Sequence, residues 1–359
     1  RHFYVFDVLT IAAIADEMTG TILDGRIQRI GLIDRRTIGA EVFANGRRRT
    51  LIMSADDRDP RIYLSASEPP FDVALTTPLL LLLRKYARGG IIIGIEQPPL
   101  ERIVRLSIAK RLASSRDEVE PDFADPSLEE DDDAVYGIDA ATHIYLHIEI
   151  MGRHSNIILV DDDGRIMESA KRVTNRMSRV RPIAPRMPFT PPPPVDRPDP
   201  RRVTGDGLRA LLADGSGSLT NWLVRAFRGV SPQMAREVAF VATGDTDPDI
   251  GALPANSPAT IAQAMRSLFE PMLTETWSPR VYRDDGAAVA FAPVPMTHLH
   301  ALFEEEVIGS ISAAAEAVQI GGGDAPGRNG RACGEGGPPE SSPGRCGSCV
   351  SPRPFRPLP

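Results

Sequence analysis

The chain has 359 residues and a mass of 39.0 kDa, room for about two domains of roughly 100–200 residues each. Its 42% hydrophobic and 25% charged content excludes a wholly disordered protein, and its longest apolar run, 78–83, falls far short of the roughly 18 residues that span a bilayer. The net charge of −7 comes from one segment: residues 117–133 hold ten acids and no Lys or Arg, and outside it 41 basic residues face 38 acidic ones, so global charge argues neither for nor against nucleic acid.

At the N-terminus an apolar stretch, FYVFDVLTIAAIA, follows Arg1-His2 and has the look of a signal peptide, but Asp7 and Thr10 interrupt it. Val8, Ile11, Ile14, Met18 and Ile22 keep helical spacing through the would-be cleavage point, which predicts an amphipathic helix instead. Short β-like runs follow at 26–33, 38–44, 48–54 and 61–65, with Asn45-Gly46 as a hairpin signal. Thr77-Pro78 reads as cap and first turn of a helix that Gly89-Gly90 stops. Strands resume at 90–97, 101–109, 143–150, 155–161 and 165–170, with an acidic loop (117–135) between two of them.

A β-rich domain over 1–174 is thus expected, then a basic and Pro-rich linker over 175–200, in which four consecutive prolines favour an extended spacer. Helices are expected over 201–275, with Ser231-Pro232 opening one after a Gly229-Val230 turn. A hairpin around Asp284-Asp285-Gly286 occupies 276–296, and 297–317 reads as the start of a long helix. Residues 318–359 carry 10 Gly, 8 Pro and all three cysteines (Cys333, Cys346, Cys349) and no hydrophobic period, the pattern of a disordered tail or of GC-rich coding sequence read out of frame. The cysteine-free body excludes a disulfide scaffold or a cysteine nucleophile there and fits a reducing cytoplasm. The fold class is α+β.

The string EIMGRHSNIILVD (149–161), with GGIIIGIEQPPLERIVRLSI upstream (89–108) and the basic stretch before PPPP, resembles the NFACT family, which includes RqcH and NEMF and is also called fibronectin-binding protein A-like. The resemblance covers about 3–317. It implies an N-domain similar to that of formamidopyrimidine-DNA glycosylases, a helix-hairpin-helix module, then a coiled-coil arm whose start would be 297–317 and an RNA-binding domain beyond. It also implies a monomeric, cytoplasmic, ribosome-associated factor of ribosome quality control that binds the obstructed large ribosomal subunit and tRNA, in RqcH-like members alanyl-tRNA for C-terminal alanine tailing. No cofactor, metal or membrane is implied, and no catalysis by the protein itself.

The implied tRNA/RNA contacts are Glu101 and Arg102 (the family pattern has Asp-Arg) together with Glu149, Ile150, Met151, Gly152 and Arg153. Strand parity puts Ile150 with the core residues and Glu149 and Met151 on the opposite face. Gly229 and Ser231 would meet phosphate at a helix N-terminus. The basic run Lys171, Arg172, Arg176, Arg179 and Arg181 would neutralise phosphates, or else form a solvated face. His143 and His147, four apart on a strand, lack metal-ligand geometry. Two other readings are a surface adhesin that binds fibronectin and a non-catalytic glycosylase-like nucleic-acid-binding module; glycosylase chemistry needs an N-terminal Pro followed by Glu, and this chain begins Arg1-His2.

Overall fold

Seven of the eight residues 8–15 at the start of the first helix are apolar and all eight are buried, and the reason is visible in the computed structural model, which describes residues 6–68, 70–111 and 142–323. Helix α1 (Val8–Ile22) lies between two hydrophobic cores. Ile11, Ile14, Met18 and Ile22 enter the core of a β-sheet, while Val8 and Leu9 enter a second core built by the helices downstream. Burial on both sides requires the first half of the helix to be apolar all round, and its second half is amphipathic, with Asp16, Glu17 and Thr19 outside the core. Asp7 caps it, accepting from the Thr10 amide.

The sheet has nine antiparallel strands in the order β4-β3-β2-β1-β5-β6-β7-β8-β9. The strands are β1 (Arg26–Asp34), β2 (Thr37–Ala44), β3 (Arg47–Ser54), β4 (Arg61–Ser65), β5 (Ile91–Glu96), β6 (Ile103–Lys110), β7 (Thr142–Glu149), β8 (Asn156–Asp161) and β9 (Ile166–Ser169). Each matches a run expected from sequence to within two residues. Strands β1 and β5 share a single register pair, Arg26 with Ile91, so the sheet divides there into two halves. It curls until β3 meets β8, and the inward faces of both halves, with α2 (Pro78–Tyr86), share one core.

The helical part comprises α3 (Gly205–Leu212), α4 (Leu219–Ala226), α5 (Pro232–Thr243), α6 (Ser257–Phe269) and the short α7 (Pro271–Thr274). Ser231 and Pro232 open α5 as expected. The chain then returns as the hairpin β10 (Arg280–Asp284) and β11 (Ala287–Ala292).

Three expectations need correction. Residues 297–317 are not one helix: a turn of helix α8 (Thr297–His300) gives way to strand β12 (Glu304–Val307), which pairs with β10, and only then does α9 (Ile311–Gly323) begin. The cause is tertiary, since Glu305 and Glu306 meet Arg280 and Arg283 across the strand pair. Helix α9 also runs past residue 318, where a tail had been expected to start, and packs Ile311, Ala314, Ala315 and Val318 into the sheet core. Finally, the linker expected over 175–200 starts later. Residues 173 and 183 pair as a bridge, and Val173, Ile183, Met187 and Phe189 cover the outer face of β8 and β9. The acidic loop and residues 324–359 lie outside the described residues. The compact unit spans 1–324, with sheet and helices together.

Candidate nucleic-acid interface

The ends of β6 and β7 bring the predicted residues together. Ile103 pairs with Glu149, and the Ile150 amide donates to the Arg102 carbonyl at 2.8 Å. Glu101-Arg102 and Glu149–Arg153 are therefore neighbours across one strand pair. Ile150 is buried at 2% exposure, as parity required, and anchors the backbone. Beyond it the chain turns through a short 3-10 segment, 152–154, which Gly152 enters at φ +57, a left-handed conformation costly for other residues. The Ser155 hydroxyl accepts from the Met151 amide at 2.7 Å and fixes the turn, leaving Arg153 and His154 exposed and hydrogen-bonded to each other at 3.1 Å.

Both acids of this group hold arginines within the protein. Glu149 is wholly buried, and both of its oxygens take Arg181 of the basic run, at 2.8 and 2.5 Å. Arg181 also donates to the Thr190 carbonyl and lies over the Phe189 ring, on which His147 stacks at 4.0 Å. Burial, reinforced by Arg105 and Arg181, pushes the His147 pKa down to about 4. Glu101 holds Arg228 at 2.7 Å, across the seam to the α4–α5 hairpin. Arg102 faces Asp7, whose carboxyl pKa burial raises although hydrogen bonds and Arg102 oppose it.

The hairpin contacts expected to receive phosphate are spent inside the protein. Ser231 is buried, donates its hydroxyl to Asp7 at 2.8 Å and accepts from the Met234 amide. Gly229, at φ +72, approaches so closely that a Cβ would sit 3.3 Å from the Leu100 carbonyl and from both Val8 methyls. A phosphate would have to displace a carboxylate that already occupies this helix N-terminus, so the hairpin serves as a clamp on α1 and the 98–102 loop.

The basic run divides too. Lys171 binds Asp57 at 2.7 Å and the Arg153 carbonyl at 3.3 Å. Lys171 and then Arg36 hold the Asp57 pKa down at about 2. Arg172 pairs with Glu168 at 2.5 Å. Asn156 fastens the start of the run by bonding both the amide and the carbonyl of Lys171. Arg176 and Arg179 remain exposed. Residues 171–186 hold six basic residues and no acid, but two of their partners, Glu149 and Glu168, lie in strands outside that stretch. What the arrangement offers a ligand is a cationic edge at the Gly152 turn, where Arg153 is exposed and Arg102, half-buried, lies on the neighbouring strand end. Among the described residues no group of three or more His, Cys, Asp or Glu is placed to hold a metal ion, and no helix is long and apolar enough to cross a membrane.

The chain is 27% identical over 301 residues to the Rqc2 homolog RqcH of Bacillus subtilis (strain 168), covering 82% of this chain and 45% of the relative. It is 26% identical over 302 residues to the Rqc2 homolog RqcH of Streptococcus pneumoniae D39, covering 82% and 44%. The chain thus spans about half the length of the curated relatives it matches. Among solved structures, the N-terminal part of the fibronectin/fibrinogen-binding protein from Streptococcus suis aligns with a TM-score of 0.62 at 23% identity, covering 88% of this chain and 99% of that one. The fibrinogen binding protein from Staphylococcus aureus gives 0.64 at 20%, covering 87% and 97%. These establish a shared fold. The model of the NFACT N-terminal and middle domains matches residues 7–318, and the chain belongs to the NFACT family.

Proposed function

We propose that this chain supplies the N-terminal and middle portion of a ribosome quality control factor, with its cationic edge turned toward RNA. On this reading it binds the obstructed large ribosomal subunit in the cytoplasm and holds tRNA there, alanyl-tRNA where the whole protein supports alanine tailing. Bond-making stays with the ribosome, and this chain acts by positioning, without catalytic residues of its own. The observation that carries the reading is the juxtaposition of Arg102 with the Gly152 turn and Arg153, in a chain whose relatives are named Rqc2 homolog RqcH. Arginine suits the role because its planar fork grips phosphate or a base edge through two bonds at once. Glu101 and Glu149 act indirectly, by fixing Arg228 and Arg181 and so the walls on either side.

Binding of purified large subunits and of tRNA to the chain tests this. Arg102→Ala should weaken tRNA binding by roughly 1–3 kcal/mol and lower the salt slope by about one unit, and Arg153→Ala should behave likewise. Unchanged affinity for both ligands in the double variant would remove this edge from the RNA interface.

A further inference from the structure

The outer side of β1, β2 and β3, away from the core residues Ile38, Ala40 and Val42, is covered at one end by Phe71 and open at the other, around Phe43. Residues paired across strands share a face, so the register defines ranks on that side. One rank is Arg26–Phe43–Arg48, the next is Arg29–Glu41–Thr50, and the third is Gly31–Gly39–Ile52. Phe43 is 42% exposed, with an arginine directly opposite it on each neighbouring strand. In the third rank the glycines leave room for Phe71, which lies so close that a Cβ on Gly31 or Gly39 would come within 2.5 or 2.8 Å of its ring. Arg29 sits over that ring, 5.3 Å from its centre.

Beside these ranks runs an open groove of about 580 Å³, lined by Arg26, Arg29, Arg48, Arg88 and Lys110, with Glu41 in its wall. Glu41 is 4% exposed, and its contacts to Arg29 and Arg48, at 3.5 and 4.0 Å, are ion pairs longer than hydrogen bonds. Its oxygens therefore keep acceptor capacity toward the groove. The cations outnumber the acid five to one. Partial burial, and secondarily the neighbouring Arg88, lower the Lys110 pKa.

From this arrangement we infer that the outer face of β1–β3 is a second nucleic-acid site, which takes single-stranded nucleic acid. One base stacks on Phe43, its neighbours' phosphates lie against Arg26, Arg48, Arg88 and Lys110, and an amino-bearing base edge donates to Glu41. An aromatic ring flanked by cations on an open sheet is a platform for any base, and a carboxylate accepts from the amino group of cytosine, which uracil lacks. An acidic peptide would be served by the cations alone and would leave both Phe43 and Glu41 without a role. The site is separate from the Arg102 edge, because β6 runs from Ile103 beside Glu149 to Lys110 beside Thr142, a distance of roughly 23 Å. It does not depend on the ribosomal reading.

Fluorescence anisotropy with labelled eight-nucleotide oligocytidine and oligouridine, and with the DNA form of the former, tests the inference on the full chain. Binding at low salt should favour cytidine over uridine, and the DNA arm reports whether the sugar is read. Phe43→Ala should weaken binding roughly tenfold or more, whereas Phe43→Trp should retain it. Glu41→Gln should erase the cytidine preference, and circular dichroism verifies that each variant is folded. In the double variant Arg102→Ala, Arg153→Ala, which removes the other RNA edge, Phe43→Ala and Glu41→Gln should keep the same fold-effects on these oligomers. Absence of binding at low salt, a Phe43→Ala effect below twofold, or disappearance of that effect in the Arg102/Arg153 background would overturn the site. So would competition by polyglutamate together with indifference to Phe43→Ala, which would assign the face to an acidic protein.

Discussion

Glu149 and His147 stand two positions apart on β7 and show how far a side chain's role depends on what crosses over it. Both point away from the sheet core, and alternation alone makes them surface residues. Residues 173–189 fold over that face, burying Glu149 and half-burying His147 under Phe189, so that Glu149 becomes the floor of a paired ion site with Arg181. Removing one member of a buried pair strands the other, so Arg181→Ala should destabilise the fold by about 3–5 kcal/mol, read by urea denaturation, even though nothing in the sequence separates Arg181 from Arg176 or Arg179. His147 gives the pH counterpart. Its pKa falls to about 4 on folding, from about 6.5 in the unfolded chain. The neutral ring is therefore favoured by the fold, its stabilisation is intact above pH 6.5, and it drains away as pH drops toward 4. His147→Gln should flatten the stability curve in that window by on the order of 2–3 kcal/mol relative to the parent chain. An identical slope for both chains between pH 6.5 and 4 would mean that the ring titrates freely.

At the scale of elements, local signals were sufficient where an element begins or ends on its own residues. Thr77-Pro78 starts α2, Ser231-Pro232 starts α5, and Asn45-Gly46 turns β2 into β3. They failed for β12 and α9. The stretch from Thr297 to Ala317 holds enough helix formers to read as one segment, but β10 has an open edge with Arg280 and Arg283 on it, and Glu304–Val307 extends to fill that edge. Helix α9 then needs a new start. Ser310 caps it by accepting from the Ala313 amide, and Glu17 of α1 accepts from the Ser312 amide at 3.0 Å and from the hydroxyls of Ser310 and Ser312. Ser312 in turn accepts from the Leu64 amide. A carboxylate on another element thus completes this helix end. Glu17→Ala should cost about 1–3 kcal/mol through the unsatisfied donors it leaves, and amide exchange should quicken in α9 before it does in α1. Equal protection in both helices would show that α9 is held by packing alone.

For the whole molecule, the sequence by itself determined the strand runs of the sheet, the caps of its larger helices, the α+β class and, through EIMGRHSNIILVD and its neighbours, the NFACT family. All of these are encoded within a few residues: alternation, turn chemistry and caps need no distant partner. It also determined that Glu101-Arg102 and the Gly152 turn would meet, because adjacent antiparallel strands must bring such ends together. Only the tertiary structure decided which charges are left for a ligand. Glu101 went to Arg228, Glu149 to Arg181 and Ser231 to Asp7, each pair separated by 32 or more positions. Likewise, the N-terminal apolar stretch is dense because α1 is shared by two cores, one of which is assembled from residues beyond position 200. A charge or an apolar face shows in sequence, but its partner is chosen by the closing of the fold, where desolvation makes an unpaired group too costly to keep.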